Sequence, residues 1–179
     1  MKKLVKKVLF GAVMLEIATL MGADFRIDLQ VQKDICGLAP KGVATGLRMS
    51  KADWKKAYAD RRLLITGKCE EKWEEKWCLF IPKQDCQVSV ILMSDSQVPV
   101  TFDHIRIEGA TIKNGSFEQV TPNNKFQDWQ GGKYVLKTTN AADGKNSIEV
   151  SNNNRATQWI KCQKGQPVKM IFMVRDIKQ

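Results

Sequence analysis

The sequence predicts a mainly β protein, a β-sandwich or jelly roll, and three observations carry that prediction. The 179 residues are 43% hydrophobic and 27% charged, a composition typical of one globular domain of ordinary size. Polar and apolar residues alternate in short runs along most of the chain, as they do in half-buried strands. Clusters of Gly, Pro, Asn and Asp separate these runs, as turns between antiparallel strands do.

The first 23 residues have the pattern of an export signal. Residues 1–7 are basic, residues 8–15 are apolar, and two small residues close the segment. An uncleaved membrane anchor is the alternative, but Glu16 interrupts an apolar stretch shorter than the ~20 residues that a span needs. Met21 is an unusual residue three positions before the cut, so the pattern leaves the cleavage site open.

We therefore divide the chain into a signal peptide, residues 1–23, and one β-sandwich domain, residues 24–179. No other segment is long and apolar enough to be a membrane span. The prediction is a protein that is secreted or held in the periplasm or cell envelope, and that does not span the membrane after cleavage.

The strands follow from the alternation. Residues 25–31 alternate in the simplest way, with apolar side chains at every second position. The run at 98–107 changes phase at Asp103 and His104, and such a slip predicts a β-bulge. Other runs include residues 63–66, 88–93, 134–138, 147–151, 157–162 and 168–174. The whole chain indicates roughly nine or ten short strands.

One short helix is predicted near residues 51–61. Ser50 and Asp53 have the spacing of a capping box, in which each side chain bonds a backbone N–H at the start of a helix. Trp54 and Tyr58, four residues apart, would then lie on one face of that helix.

The five cysteines lack the paired C-x-x-C spacing of zinc ribbons and redox sites. In an oxidising compartment we expect up to two disulfides and one remaining thiol, whose pairing the sequence leaves open. A catalytic cysteine beside the lone His104 is the alternative, and no local motif supports it. The cysteines are Cys36, Cys69, Cys78, Cys86 and Cys162.

Three short motifs occur in the second half of the chain and at its middle. They are Asn-Gly-Ser-Phe-Glu at 114–118, Gly-Lys-Asn-Ser at 144–147, and Phe-Asp-His-Ile at 102–105. Together they resemble carbohydrate-binding modules of the galactose-binding-like jelly-roll superfamily, in which the first motif opens the fold and the third lies in a closing strand. The resemblance implies a circularly permuted jelly roll, with the late strands in 24–108 and the early strands in 111–179. Two truncated repeats that each need a partner chain are the alternative.

Phe117 stands between the polar residues Ser116 and Glu118. We therefore expect it to be one core side chain on a strand that starts at a Gly turn.

The resemblance also implies a structural calcium ion. Modules of this family often hold one near the positions that Glu118 and Asp103 match here. Calcium takes six to eight oxygen ligands, so two carboxylates with backbone carbonyls would start such a site. In the alternative, both carboxylates are surface charges that pair with Lys113 or Arg106.

Sugar recognition by such modules uses aromatic faces with neighbouring polar side chains. Trp159 alternates with Ile160, so it faces away from the core if Ile160 faces inward. Trp73 and Trp77 share a face if they lie on one strand. The predicted ligand-binding residues are Trp159, Gln158, Trp129, Trp73 and Trp77.

The function predicted from these features is non-catalytic binding of a polysaccharide or glycan by an exported module. No nucleophile elbow, zinc-binding H-E-x-x-H or phosphate loop is present, so we do not predict an enzyme. Removal of residues 1–23 takes away four lysines and Glu16, so the net charge falls from +10 to +7. The remaining basic residues are mostly scattered and have no nucleic-acid motif beside them, so nucleic acid is not a predicted partner. The alternative is a structural or protein-interaction module of the cell envelope, with a protein partner and no sugar binding.

Overall fold

The computed structural model describes residues 23–31, 38–43, 47–51, 62–95, 98–131, 136–138 and 140–177. The signal predicted at the start of the chain lies outside these ranges, except for Ala23. The strands are β1 (Asp24–Val31), β2 (Leu38–Val43), β3 (Leu47–Lys51), β4 (Arg62–Lys68), β5 (Glu74–Pro82), β6 (Cys86–Ser94), β7 (Val100–Glu108), β8 (Gln130–Gly131), β9 (Leu136–Thr138), β10 (Ser147–Val150), β11 (Ala156–Cys162) and β12 (Val168–Asp176).

The strands form two sheets of six. Sheet A has the order β3-β4-β1-β6-β11-β8, and sheet B has the order β2-β5-β12-β7-β10-β9. Neighbouring strands are antiparallel in both sheets. The prediction of a β-sandwich is therefore confirmed.

Alternation places the core between the sheets. In β1, the side chains of Phe25, Ile27 and Leu29 have no exposed surface, because they face sheet B. Phe25 makes edge contacts with Phe102 of β7 and Phe172 of β12, with ring centroids 6.0 and 5.5 Å apart. Edge-to-face packing of this kind is favourable for aromatic rings.

Residues from both halves of the chain share this core. The buried hydrophobic side chains before residue 108 and after residue 111 belong to one cluster. Each sheet also combines strands from both halves, since β11 pairs with β6 in sheet A and β12 pairs with both β5 and β7 in sheet B. The described residues thus form one sandwich; its permuted relation to a known family stays a prediction.

The β-bulge predicted at Asp103 and His104 is present. Between β7 and β12, Arg106 lies opposite Ile171 and Asp103 lies opposite Met173. Two residues of β7 therefore face one residue of β12, and His104 adopts a left-handed φ of 47°. A bulge of this kind bends the strand and redirects its side chains.

The predicted helix is not observed among the described residues. Ser50 and Lys51, at its expected start, belong to strand β3, and residues 52–61 lie outside the described ranges. Strands β2 and β3 were not predicted from the sequence.

The prediction that Phe117 lies on a strand is wrong. Residues 109–129, called the connecting segment below, contain turns and one isolated bridge between Val120 and Phe126. Asn114 and Phe117 have φ values of 46° and 57°, which a strand does not allow. Phe117 is nevertheless completely buried, as its apolar character predicted.

Candidate ligand-binding groove

A groove of about 1360 Å³ lies where β11 meets the start of β6 and the connecting segment. The indole of Trp159 lines it and is 38% exposed, an unusual value for so large an apolar side chain. Its neighbours Gln158 and Ile160 are buried, so the alternation expected for this strand is observed. Six polar or charged side chains also line the groove: Asp85, Gln87, Lys113, Asp128, Lys161 and Gln163.

The chemistry of the groove is polar around one aromatic face. Lys113 and Lys161 supply two positive charges, and Asp85 and Asp128 supply two negative ones. The Lys113 Nζ lies 3.9 Å from the Asp128 Oδ1, so these two charges offset each other. An aromatic face with amide and charged groups beside it can bind a polar ligand that also has an apolar side.

Gln158 holds the wall of this groove. It is only 6% exposed, and its Oε1 accepts a hydrogen bond of 2.7 Å from the Lys113 backbone N–H. Its Nε2 donates a hydrogen bond of 2.9 Å to the carbonyl of the same residue. Gln158 therefore fixes the connecting segment to β11, beside Trp159.

Trp129 does not line this groove. It is 8% exposed, and its Nε1 donates a hydrogen bond of 3.0 Å to the Asn114 carbonyl. Its ring centroid is 5.2 Å from that of Phe117. In this position Trp129 stabilises the connecting segment on the core.

Trp73 and Trp77 lie with sheet B, away from the groove. Both are half-buried, and each is covered by a cation from β12. The guanidinium of Arg175 lies 5.1 Å from the centre of the Trp73 ring, and the Lys169 Nζ lies 5.5 Å from that of Trp77. The structure thus does not bring the five predicted ligand-binding residues together: Trp159 and Gln158 line one groove, and the three other tryptophans do not line it.

The two predicted calcium ligands both bind the loop at residues 140–146. Asp103 is completely buried; its Oδ2 accepts hydrogen bonds of 2.7 and 3.0 Å from the backbone N–H groups of Ala142 and Asp143. Glu118 is exposed, and its Oε1 accepts bonds of 2.9 and 2.8 Å from the N–H groups of Lys145 and Asn146. The three motifs of the sequence analysis therefore meet at this loop.

The environment of Asp103 is dry but rich in donors. Burial raises the pKa of its carboxyl above the ordinary value, and backbone hydrogen bonds from Asp143, His104 and Ala142 oppose that rise. The bond from the His104 backbone N–H goes to the other carboxylate oxygen, Oδ1, at 2.6 Å. The His104 Nδ1 lies 3.1 Å from the Asp143 Oδ2, which ties the bulge to the same loop.

These contacts fit a calcium ion poorly. A cation needs oxygen lone pairs, and three of the four carboxylate oxygens of Asp103 and Glu118 already accept backbone N–H groups. Among the residues that the structure describes, no three His, Cys, Asp or Glu side chains form a metal-binding group. Calcium at this loop stays a prediction, and the alternative pairing of these carboxylates with Lys113 or Arg106 is not what the hydrogen bonds show.

Sequence reasoning missed the charged members of the groove and its cysteines. Lys113 and Asp128 belong to the connecting segment, whose turns place them by contacts that no alternation pattern contains. Cys86 and Cys162 line the same groove, at the first residue of β6 and the last of β11. Only the register of those two strands brings them together.

No family model matches this chain, and neither the curated proteins nor the solved structures searched include a significant match. Within the described ranges, no helix has the length and apolar character that a membrane crossing requires.

Proposed function

We propose that this protein is an exported, non-catalytic module that binds a polysaccharide or glycan in the groove beside Trp159. The observation that carries the proposal is the exposed indole itself. A pyranose presents an apolar face of C–H groups, which packs on an aromatic ring, and hydroxyls at its rim, which bond polar side chains. Gln87, Lys161 and Gln163 lie around Trp159 to serve those hydroxyls.

The charge of the groove favours a neutral ligand. Its two lysines are offset by two aspartates, so no uniform positive field attracts an acidic polysaccharide. The module would bind weakly, because one aromatic platform gives less contact than a row of them. The resemblance to galactose-binding-like modules supports the same function.

Affinity electrophoresis in gels that contain neutral or acidic polysaccharides tests the proposal. We expect retardation by a neutral polysaccharide and its loss in Trp159→Ala, by tenfold or more in Kd (at least ~1.4 kcal/mol). Trp77→Ala is the matched control, since Trp77 lies on the other sheet, and it should bind normally. Normal binding by Trp159→Ala, or no binding to any polysaccharide, would contradict the proposal.

A structural or protein-interaction module of the cell envelope is the second candidate. The outer face of sheet B favours it, because apolar residues there are only half-buried along two adjacent strands. They include Trp77, Leu79 and Ile81 of β5 and Met173 of β12. Under this candidate, Leu79→Glu should abolish binding to the envelope partner, while Trp159→Ala should leave it unchanged.

A further inference from the structure

Two cysteines lie directly opposite each other in sheet A. The register of β6 and β11 pairs Cys86 with Cys162, and both side chains belong to the inward-facing positions of their strands. Opposite residues of an antiparallel pair have Cβ atoms ~4.5–5.5 Å apart. A disulfide needs Cβ atoms ~3.5–4.5 Å apart, so a small approach of the two strands suffices.

The surrounding backbone holds this pair in place. The turn before β6 and the turn after β11 are joined by a hydrogen bond of 2.7 Å from the Lys164 N–H to the Asp85 Oδ1. A second bond of 2.9 Å runs from the Gly165 N–H to the Pro82 carbonyl. Both strands are therefore anchored at the end where the cysteines lie.

The other two described cysteines, Cys69 and Cys78, have buried thiols. Burial is the main cause that raises the pKa of Cys69 and of Cys78 to about 12. Their thiols stay protonated, and a protonated thiol is a poor nucleophile. They also belong to different sheets: Cys69 directly follows β4 of sheet A, and Cys78 lies within β5 of sheet B. Register thus identifies Cys86 and Cys162 as the opposed pair among the described cysteines.

We propose that Cys86 and Cys162 form a disulfide in the exported protein. Two thiols form a disulfide only when an oxidant takes up their electrons. That oxidant is a small-molecule or protein disulfide: one cysteine thiolate attacks it and releases one thiol. The second cysteine then attacks the mixed disulfide and releases the other thiol. The protein loses two electrons and two protons, which reduce the oxidant to two thiols.

The disulfide would lock one wall of the groove. Cys162 is three residues from Trp159 on the same strand, and both line the groove. A covalent link from β11 to β6 would keep the indole at a fixed distance from the start of β6. The bond also closes a long loop of chain, which destabilises the unfolded state.

Tryptic mapping under non-reducing conditions, after thiol blocking, tests this proposal. Each cysteine lies on its own tryptic peptide, so the assignment is unambiguous: Cys86 on 84–106, Cys162 on 162–164, Cys69 on 69–72, Cys78 on 77–83 and Cys36 on 34–41. We expect 84–106 linked to 162–164 in protein exported to an oxidising compartment or treated with oxidised glutathione. Alkylation of both peptides, or linkage of either to another cysteine, would overturn the proposal.

Variants add a second measurement. Reductant should lower the melting temperature of the wild type by on the order of 10 °C, and of the paired Cys86→Val and Cys162→Val variant not at all. Cys69→Ser, the control, should keep the wild-type response. An equal response of the wild type and the paired variant to reductant would contradict the proposal, whatever polysaccharide the protein binds.

A second inference concerns the start of the mature chain. Ala23 is 1% exposed and belongs to the core. Its carbonyl accepts a hydrogen bond of 3.0 Å from the Cys69 N–H, and its N–H donates one of 3.0 Å to the Asp176 Oδ2. A cut after Ala23, as the sequence analysis predicts, would remove a core residue and both bonds.

The carboxylate of Asp176 can accept a further hydrogen bond. It is 5% exposed, and its Oδ1 is buried without a hydrogen-bond partner among the described residues. A buried acceptor without a partner is costly. The α-ammonium of a chain that begins at Ala23 has three donors and a positive charge, where the present amide has one donor.

We infer that the signal is cut between Gly22 and Ala23, and that the new ammonium of Ala23 pairs with Asp176. This inference rests on the proposed export. The intact mass of the exported protein tests it, and we expect a chain that begins at Ala23. An unprocessed chain would overturn export and this inference together, whereas a chain that begins at Asp24 or elsewhere would overturn the inference alone.

A thermodynamic cycle tests the ion pair itself. The mature chain should melt higher than one extended by a glycine before Ala23, which moves the ammonium away. In Asp176→Asn the difference between these two forms should disappear. A glycine extension that leaves the melting temperature unchanged, or a difference that survives Asp176→Asn, would overturn the pairing.

Discussion

The strands and the connecting segment both bury large aromatic side chains, but they do so by different means. Phe102 lies in β7, where backbone hydrogen bonds to β12 and β10 fix it and alternation points it inward. Phe117 lies among turns, and its burial depends on local side-chain bonds. The comparison teaches that a residue can belong to the core without belonging to a sheet, provided that polar side chains replace the missing strand pairing.

Asn114 supplies most of that replacement. Its Nδ2 donates to the Gln119 and Gln127 carbonyls, and its Oδ1 accepts from the Gln119 N–H. Its own carbonyl accepts from the Trp129 indole and the Phe117 N–H. One residue thus holds two of the three aromatic residues of the connecting segment, Trp129 through its indole N–H and Phe117 through its backbone N–H.

The largest expected effect is that of Phe117→Ala, which should cost ~3–5 kcal/mol of unfolding free energy, the usual range for a buried Phe. Phe117 contacts Phe126 and Trp129 at 5.2 Å, so its removal leaves a cavity beneath the connecting segment. Urea unfolding, with Phe102→Ala as the strand counterpart, measures it. A cost below about 1 kcal/mol would mean that the connecting segment is not part of the core.

Asn114→Ala should cost roughly 2–3 kcal/mol, since it removes three side-chain hydrogen bonds and places alanine at a left-handed φ. Asn114→Gly should cost about 1 kcal/mol less, because glycine tolerates that φ. Asn153→Ala, an exposed asparagine in a turn, is the control and should change little. Equal stability of Asn114→Ala and the control would show that packing alone holds the segment.

Gly144→Ala tests the loop that Asp103 and Glu118 hold. Gly144 has a φ of 71°, and a Cβ there would lie 2.6 Å from the Glu118 Oε1. Glu118 would have to move and give up its backbone bonds, so we expect a cost of about 2 kcal/mol.

Gly165→Ala separates strain from contact, because Gly165 has a φ of 73° and no atom within 4 Å of the added Cβ. Gly165→Ala should lower the free energy of unfolding by only about 1 kcal/mol. Urea unfolding of both glycine variants measures the difference. If the two variants lose equal stability, Glu118 does not support the loop.

Removal of divalent cations should have the smallest effect. Oxygens of Asp103 and Glu118 accept backbone N–H groups, so a chelator should leave the melting temperature unchanged within error. Differential scanning fluorimetry with and without chelator, and with added calcium, measures this. A lower melting temperature in chelator that calcium restores would establish the calcium site that the family resemblance implies.

Sequence reasoning succeeded where one short-range rule decided the outcome. The period of two in the sequence correctly predicted β1, β6, β11 and β12 and the outward direction of Trp159. The change of phase at Asp103 and His104 correctly predicted the β-bulge. It failed at Phe117, where the same apolar character predicted burial correctly but the backbone is left-handed. It did not reveal that Trp129, Trp73 and Trp77 lie outside the groove of Trp159, because aromatic character alone does not distinguish a packing residue from a binding platform.

By itself, the sequence determined the fold class, most of the strands and which side of each strand faces the core, since these depend on neighbours two positions away. Only the tertiary structure decided that Cys86 lies opposite Cys162 and that Asp176 bonds Ala23. Such meetings depend on the order and register of the strands, and these are set by the packing of the whole core. A local sequence pattern does not determine that packing, so the groove beside Trp159 could not be predicted from the sequence.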